Sequence, residues 1–299
     1  MKVPVKKAVC LVLVTLSLLC ALRVNAAQKP VAVFLSKEIA PYVLMLEGLE
    51  KKLQQHPVER FFLDQNNQPY SLTAASVGFR PDAYAAAVAV GPLALRYLAP
   101  YSQQIPVLYG MILDPERILD PGVYKACGVG LGLSVERQMQ TLQQGLPGLS
   151  RLGVFYDPAN NQSWFDSATQ VAASLGIELV PFEVQRVGGK LDVSGDWKRV
   201  DALLFIPDKT IISKTVIQYV IKQALLQHKP VIGYNQFFLD SGAAFSFIFD
   251  YVGIGAQAAA LTEELLATGA CSKIEPVFEL RENADVWKIL NLPSAGGGL

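Results

Sequence analysis

Val31-Ala-Val-Phe-Leu35 leads into Ser36 and a helical stretch carrying Leu44, Leu46 and Leu49; far along the chain, Leu152-Gly-Val-Phe-Tyr156 leads into Asp157-Pro-Ala-Asn-Asn161 and a second helical stretch. Both runs lack polar alternation, which is the pattern of strands covered on both faces. The same strand–loop–helix unit in each half points to two similar α/β lobes with a cleft between them, a place to clamp a ligand.

Working outward, further apolar runs at 85–90, 107–111, 129–133, 177–180, 202–206 and 231–234 read as strands. Segments 135–144, 164–175 and 212–227 carry apolar residues at helical spacing. Alternating strand and helix implies parallel sheets flanked by helices. Gly145-Leu-Pro-Gly148, Gly176 and Lys229-Pro230 stop the helices. Ile105-Pro106-Val107 and Lys229-Pro230-Val231 place Pro between helix and strand once in each half. The tail, 274–292, reads as strand returning between the lobes, followed by a flexible Gly296-Gly-Gly298 end.

Lys2, Lys6 and Lys7, an apolar stretch at 9–22 and Val24-Asn25-Ala26 form the pattern of a cleaved secretory signal peptide, residues 1–26, with cleavage after Ala26 and Ala27 as the next choice. The apolar stretch is shorter than the roughly 20 residues of a spanning helix. Cys20 raises a lipoprotein reading, against which Leu19 stands where a small residue belongs. Removing Lys2, Lys6, Lys7 and Arg23 from the chain's 26 basic residues leaves 22 against 26 acidic ones, a net charge of −4. No basic stripe is present, which argues against nucleic acid as a partner. Cys127 and Cys271 remain after cleavage; in an oxidising compartment they bridge, or they are two small buried hydrophobes.

Catalytic residue patterns are scarce. His56 and His228 sit beside prolines at helix ends, outside any metal-ligand spacing, and no G-x-S-x-G elbow or Walker A motif occurs. Gly128-Val-Gly-Leu-Gly132 lies inside an apolar run and lacks a third glycine at the spacing of a dinucleotide fingerprint, so it reads as small residues on a packed strand. Neither cofactor, metal nor catalytic residue is expected, and the chain is read as a non-enzyme.

Polar residues recur where strands end, the edge at which open α/β sheets bind ligands. Ser36, Gly91-Pro92 and Met111 to Asp114 mark it in the first half; Asp157, Asn160, Asn161, Gln162, Asp208, Thr210, Asn235 and Gln236 mark it in the second. Unpaired N–H groups of the following helices would hold a carboxylate near Gly91 and Asn161, while Asp208 or Asp250 would pair with an amine. Tyr42, Met111 and Trp164 would pack on an apolar portion. The competing reading makes Asp157, Asn160, Ser163, Asp208 and Asp250 ordinary helix caps, and the three large side chains core.

With those residues in view, the chain resembles the periplasmic substrate-binding proteins of ABC transporters, in the group related to tryptophan and aromatic amino-acid binding components. The resemblance runs through Val31-Ala-Val-Phe-Leu-Ser36, Glu47-Gly48, Ile105-Pro-Val-Leu-Tyr109, Asp114-Pro115 and Leu146-Pro147. It continues in Arg151-Leu-Gly-Val-Phe-Tyr-Asp-Pro158, Asp201-Ala-Leu-Leu-Phe-Ile-Pro-Asp208, Lys229-Pro-Val-Ile-Gly-Tyr234, Ser241-Gly-Ala243, Asp250-Tyr251, Gly255 and Asn291-Leu292. It implies a type I periplasmic binding protein: two Rossmann-like lobes joined by three crossings. The crossings are expected near 125–128, 234–243 and 270–275. The first lobe is then 27–126 with 241–270, and the second 127–240 with 271–299. Cys127 and Cys271 both fall at crossings, which favours the bridge. Two departures stand out: between Leu53 and Ala83 only Phe61-Phe-Leu63 and Tyr70 are recognisable, and Gly91-Pro92-Leu93 replaces the small hydroxyl residues usual after that strand.

The function implied is a periplasmic, monomeric component that captures a small ligand, by this resemblance an amino acid, and delivers it to an inner-membrane permease. The ligand-binding set is Ser36, Tyr42, Gly91, Met111, Asp157, Asn161, Asp208, Asn235, Gln236 and Asp250. The alternatives are a ligand-sensing subunit for a membrane receptor or kinase, a scaffold that has lost binding, and an enzyme on the same fold.

Overall fold

The computed structural model describes residues 28–70, 79–119, 127–187, 190–193, 196–211 and 213–292. The expected signal peptide and the glycine end lie outside them.

The first lobe opens with β1 (Val31–Leu35), α1 (Ala40–Lys52), β2 (Val58–Leu63) and β3 (Pro69–Tyr70). It continues with β4 (Ala86–Val90), α2 (Pro92–Leu98), β5 (Val107–Ile112) and β6 (Gly128–Gly130). Each residue of β1, β4 and β5 is buried, as their unbroken apolar runs require. The second lobe holds α3 (Val135–Gly145), β7 (Arg151–Tyr156), α4 (Pro158–Ser174) and β8 (Glu178–Glu183), then β9 (Gln185–Val187) and β10 (Lys190–Asp192), a separate hairpin. It goes on through β11 (Ala202–Phe205), α5 (Lys214–Leu226), β12 (Val231–Gly233), α6 (Gln236–Asp240) and β13 (Phe245–Phe249). The chain then returns to the first lobe with α7 (Tyr251–Thr268) and β14 (Lys273–Ile274), and ends in the second with β15 (Phe278–Glu282) and α8 (Ala284–Leu290).

One sheet has the order β14-β6-β5-β4-β1-β2-β3 and the other β15-β13-β12-β11-β7-β8. Both are parallel except at the edges, where β3 runs against β2 and β15 against β13. The α/β class and the two-lobed parallel architecture are as the sequence implies. The segment after Leu53 holds a full strand: β2 pairs with β1 from Val31↔Val58 to Leu35↔Phe62, so the first lobe is less reduced than its sequence suggests.

The lobe boundaries differ from expectation. β6 and β14 stand in the first sheet, and β13 in the second. The crossings therefore lie at 131–134, at Asp250 and at 275–277, and the one expected at 234–243 is internal to the second lobe. Phe245 decides the matter by burying its ring against Trp287, with centroids 5.1 Å apart. The tail is also corrected: 284–290 is helix, not strand. The Asn283 side chain accepts from Val286 N, and Val286, Trp287 and Leu290 fall on one buried face.

The crossings are stitched together. Glu275 Oε1 accepts from Ser134 N (2.8 Å), Gln257 Nε2 donates to Glu275 O (3.0 Å), and Asp250 N donates to Val277 O (3.1 Å). Cys127 and Cys271, just ahead of β6 and β14, form a disulfide with Cα atoms 5.7 Å apart, so the bridging alternative holds. Beneath the first sheet, α1 and α7 pack through glycines. A Cβ on Gly48 would run into the carbonyl of Val252, and one on Gly255 into the carbonyl of Met45.

Candidate functional site

At the end of the first sheet β1 and β4 are neighbours, so Ser36 and Gly91 meet. Ser36 is 3% exposed, and its Oγ accepts from Ala94 N at 2.9 Å. Gly91 has φ +87°, and a Cβ there would lie 2.6 Å from Tyr42 Oη and 2.8 Å from Ser36 Oγ. The structure thus brings Ser36, Tyr42 and Gly91 together, with Ser36 occupied in holding the start of α2. Burial pushes the Tyr42 phenol above its usual range.

Met111 is a correction. It is 3% exposed and belongs to the core beneath the sheet, so its side chain does not reach the cleft. Its φ of +61° and the register slip between Gly110 and Ile112 mark a bulge. A bulge bends the strand that carries it, and the residues that follow, Leu113, Asp114 and Arg117, line the cleft.

In the second lobe, Asp208 at the end of β11 is 4% exposed and gathers its neighbours. Its Oδ2 accepts from Asp157 N (2.8 Å) and Asn161 Nδ2 (2.6 Å), and its Oδ1 from Thr210 N (2.8 Å). Asp157 answers from the end of β7. Its Oδ1 accepts from Ala159 N (2.9 Å), and its Oδ2 from Asn160 Nδ2 (2.8 Å) and Thr210 Oγ1 (2.6 Å). The Thr210 hydroxyl above all, with Ala159 N–H and the Asn160 amide, holds the Asp157 carboxyl below the ordinary carboxylate range against a smaller opposing effect of burial. Asn161 leaves helical geometry at φ −131°, ψ 18°, which kinks α4 at the cleft.

Between the lobes lies a cavity of about 570 Å³. Leu113, Asp114 and Arg117 line it from the first lobe, Leu131 and Leu133 from the first crossing, and Gln138, Asn160, Asn161, Trp164, Asp208 and Tyr234 from the second lobe. Phe247 and Phe249 close it along β13. Burial chiefly, with the Asp208 charge adding, raises the Tyr234 phenol. Arg117 pairs with Asp114.

Of the ten residues expected from sequence, Asn161 and Asp208 line this cavity, and Asp157 stands directly behind them. Ser36, Tyr42 and Gly91 sit at the opposite sheet edge. Asn235 caps α6, and its Oδ1 is buried without a partner among the described residues. Gln236 turns to the surface, where it bonds Asp240 and Arg281. Asp250 caps α7, its Oδ1 accepting from Gly253 N at 2.9 Å. The competing cap reading of Asp250 is therefore the one the geometry bears out. Leu131, Leu133, Gln138, Tyr234 and Phe249 are cavity residues that sequence reasoning missed; for Leu131 and Leu133 the reason is that the first crossing lies at 131–134 rather than near 125–128. For Gln138 the signal was available: it lies in the first turn after the Ser134 cap.

The expectation that free helix N–H groups await a carboxylate is corrected at the start of α4. Pro158 has no N–H, Ala159 N binds Asp157 Oδ1, and Asn160 N and Asn161 N both bind Asp157 O. In the first lobe Pro92 likewise lacks an N–H and Ala94 N is held by Ser36.

The sequence profile of the ABC transporter substrate binding proteins matches residues 44–292. No curated protein matches the chain. Among solved structures, a ligand-free, open substrate-binding protein with adhesive properties from Clostridium difficile is similar at 16% identity, with TM-score 0.68 over 89% of this chain and 96% of that one. An ABC domain in complex with L-Trp from Streptococcus pneumonia has 16% identity and TM-score 0.55 over 89% and 95%. A conserved domain protein from Vibrio cholerae has 19% identity and TM-score 0.53 over 89% and 96%. At these identities the neighbours speak for the type I periplasmic binding fold, while the profile spans most of the sequence: the chain belongs to the family of ABC transporter substrate-binding proteins.

Proposed function

We propose that this protein is the substrate-capturing component of an ABC importer. It is exported behind a cleaved signal peptide and acts in the periplasm as a monomer. It closes its lobes on a small molecule with a ring-sized apolar body and passes it to an inner-membrane permease. The observation that carries this reading is the interlobe cavity, whose lining combines apolar Leu131, Leu133, Trp164 and Phe249 with polar Asn160, Asn161 and Asp208. Small-molecule sites have this composition: mostly apolar lining with a few fixed polar groups. Ligand binding biases the open–closed equilibrium by its preference for the closed form, and no bond of the ligand changes.

The test is a thermal-shift screen of ligand-stripped protein against amino acids, amines, sugars and nucleosides. A ligand that binds only the folded form raises the melting temperature in a saturable way. A saturable shift that is lost in Trp164→Ala supports capture in the cleft. Absence of any shift across all four classes overturns it.

A further inference from the structure

We propose that the ligand of the interlobe cavity carries an amine and no carboxylate: a protonated amine on a ring-sized apolar body. The inference rests on the capture reading above and specifies its polar head.

Three side-chain amides line the polar part of the cavity, and the protein fixes the orientation of each. Asn161 Nδ2 faces Asp208 Oδ2 at 2.6 Å. Asn160 Nδ2 faces Asp157 Oδ2 at 2.8 Å and Thr210 Oγ1 at 3.2 Å. Gln138 Nε2 faces the Leu133 carbonyl at 2.9 Å. Carboxylates and carbonyls only accept, so each amide turns its nitrogen to the protein: both N–H groups of Asn160 are used there, Asn161 and Gln138 each use one, and all three oxygens are left for a ligand. The Thr210 hydroxyl proton goes to Asp157, so Thr210 can only accept from Asn160. No step of this chain can be reversed without setting two acceptors against each other.

Charge points the same way. The buried charge at the cavity is Asp208, whose protein partners among the described residues are all neutral donors. Asp157 stands behind it. The cations of the lining are Lys209, which is exposed, and Arg117, which is mostly exposed and paired with Asp114. The start of α4, the helix that carries Asn160 and Asn161, is filled from within, because Asp157 Oδ1 accepts from Ala159 N and Asp157 O accepts from Asn160 N and Asn161 N. A ligand carboxylate would meet acceptors and negative charge, and like-charge juxtaposition of this kind is costly. A protonated amine would find the three amide oxygens and the Asp208 charge on the polar side of the cavity.

Titration calorimetry with the purified protein compares three probes that share one ring: tryptamine, tryptophan and indole-3-acetate. Tyramine and tyrosine form a second matched pair. The expected result is that each amine binds about a hundredfold more tightly than its amino acid, the penalty of a misplaced polar group in a site built for another, and that indole-3-acetate does not bind. Gln138→Lys puts a donor in place of an acceptor and should weaken amine binding by about tenfold while narrowing the gap to the amino acid. Amino acids binding as tightly as the amines would overturn the inference, as would a sugar or nucleoside binding where no amine does; both leave the capture reading standing. Failure of every class of ligand would remove both.

Discussion

The side-chain amide of Asn161 donates to Asp208 Oδ2 over 2.6 Å, and through this bond the ends of β7 and β11 become one polar wall. The two residues lie far apart in sequence, on adjacent parallel strands whose register runs from Ala202↔Leu152 to Phe205↔Phe155. The kink at Asn161 brings its amide within reach, and the near-complete burial of Asp208 makes the bond strong.

Replacing Asp208 with Ala should destabilise the protein by about 3 kcal/mol, because three donors lose a charged acceptor in a buried setting. Asp208→Asn should cost less, since one oxygen remains. Urea unfolding of both variants measures this. Equal stability of Asp208→Ala and wild type would contradict the clasp.

The Asp157 carboxyl titrates below the ordinary carboxylate value, with the Thr210 hydroxyl as the leading cause. Its contribution to stability is present above the unfolded pKa of about 3.9 and is lost as pH falls through the lowered folded value. Stability followed from about pH 5 down to about pH 2 should fall less steeply in Thr210→Val than in wild type. Parallel acid limbs would refute the assignment. Asp157 is only partly buried, so the effect is small.

Titration of the unreduced protein with a thiol reagent should find Cys127 and Cys271 unreactive. The bridge spans 144 residues of sequence, and the chain-entropy account gives a loop of that size about 4–5 kcal/mol. The double serine variant should melt well below wild type. Two reactive thiols in the unreduced protein would contradict the bond.

Gly48→Ala and Gly255→Ala should each cost about 3 kcal/mol, because the added methyl meets backbone of the facing helix rather than a movable side chain. Gly132→Ala is the control, since its Cβ would meet the Leu113 carbonyl at an ordinary 3.6 Å. Equal costs at all three positions would show that α1 and α7 are not packed as closely as the glycines allow.

Trp164 lines the cavity while Trp287 is buried in the second core. A ligand identified in the screen should change tryptophan emission in wild type and not in Trp164→Phe. An undiminished change in that variant would place the ligand elsewhere.

The strands announced themselves because burial on both faces leaves an unbroken apolar run, readable without any contact being known. The eight apolar runs all pair in one of the two sheets, with ends shifted by a few residues. The helix at 284–290 is hard to read from sequence because its buried face, Val286, Trp287 and Leu290, is short, and its one local signal is the Asn283 cap. Phe245–Phe249 does not read as an apolar strand because Ser246 interrupts its run. That hydroxyl is fully buried and donates to Asn235 O at 2.8 Å, a partner the sequence cannot supply.

Local sequence by itself determined the α/β alternation, the doubling into two lobes and the polar character of the strand ends, because each follows from periodicity and from residues adjacent along the chain. Tertiary structure alone decided where the chain crosses between lobes. It also decided which strand ends share a cavity, and that the start of α4 there is filled by Asp157. Those outcomes depend on pairings such as Asp157 with Thr210 and Ser134 with Glu275, between residues whose separation in sequence carries no information about their distance in space.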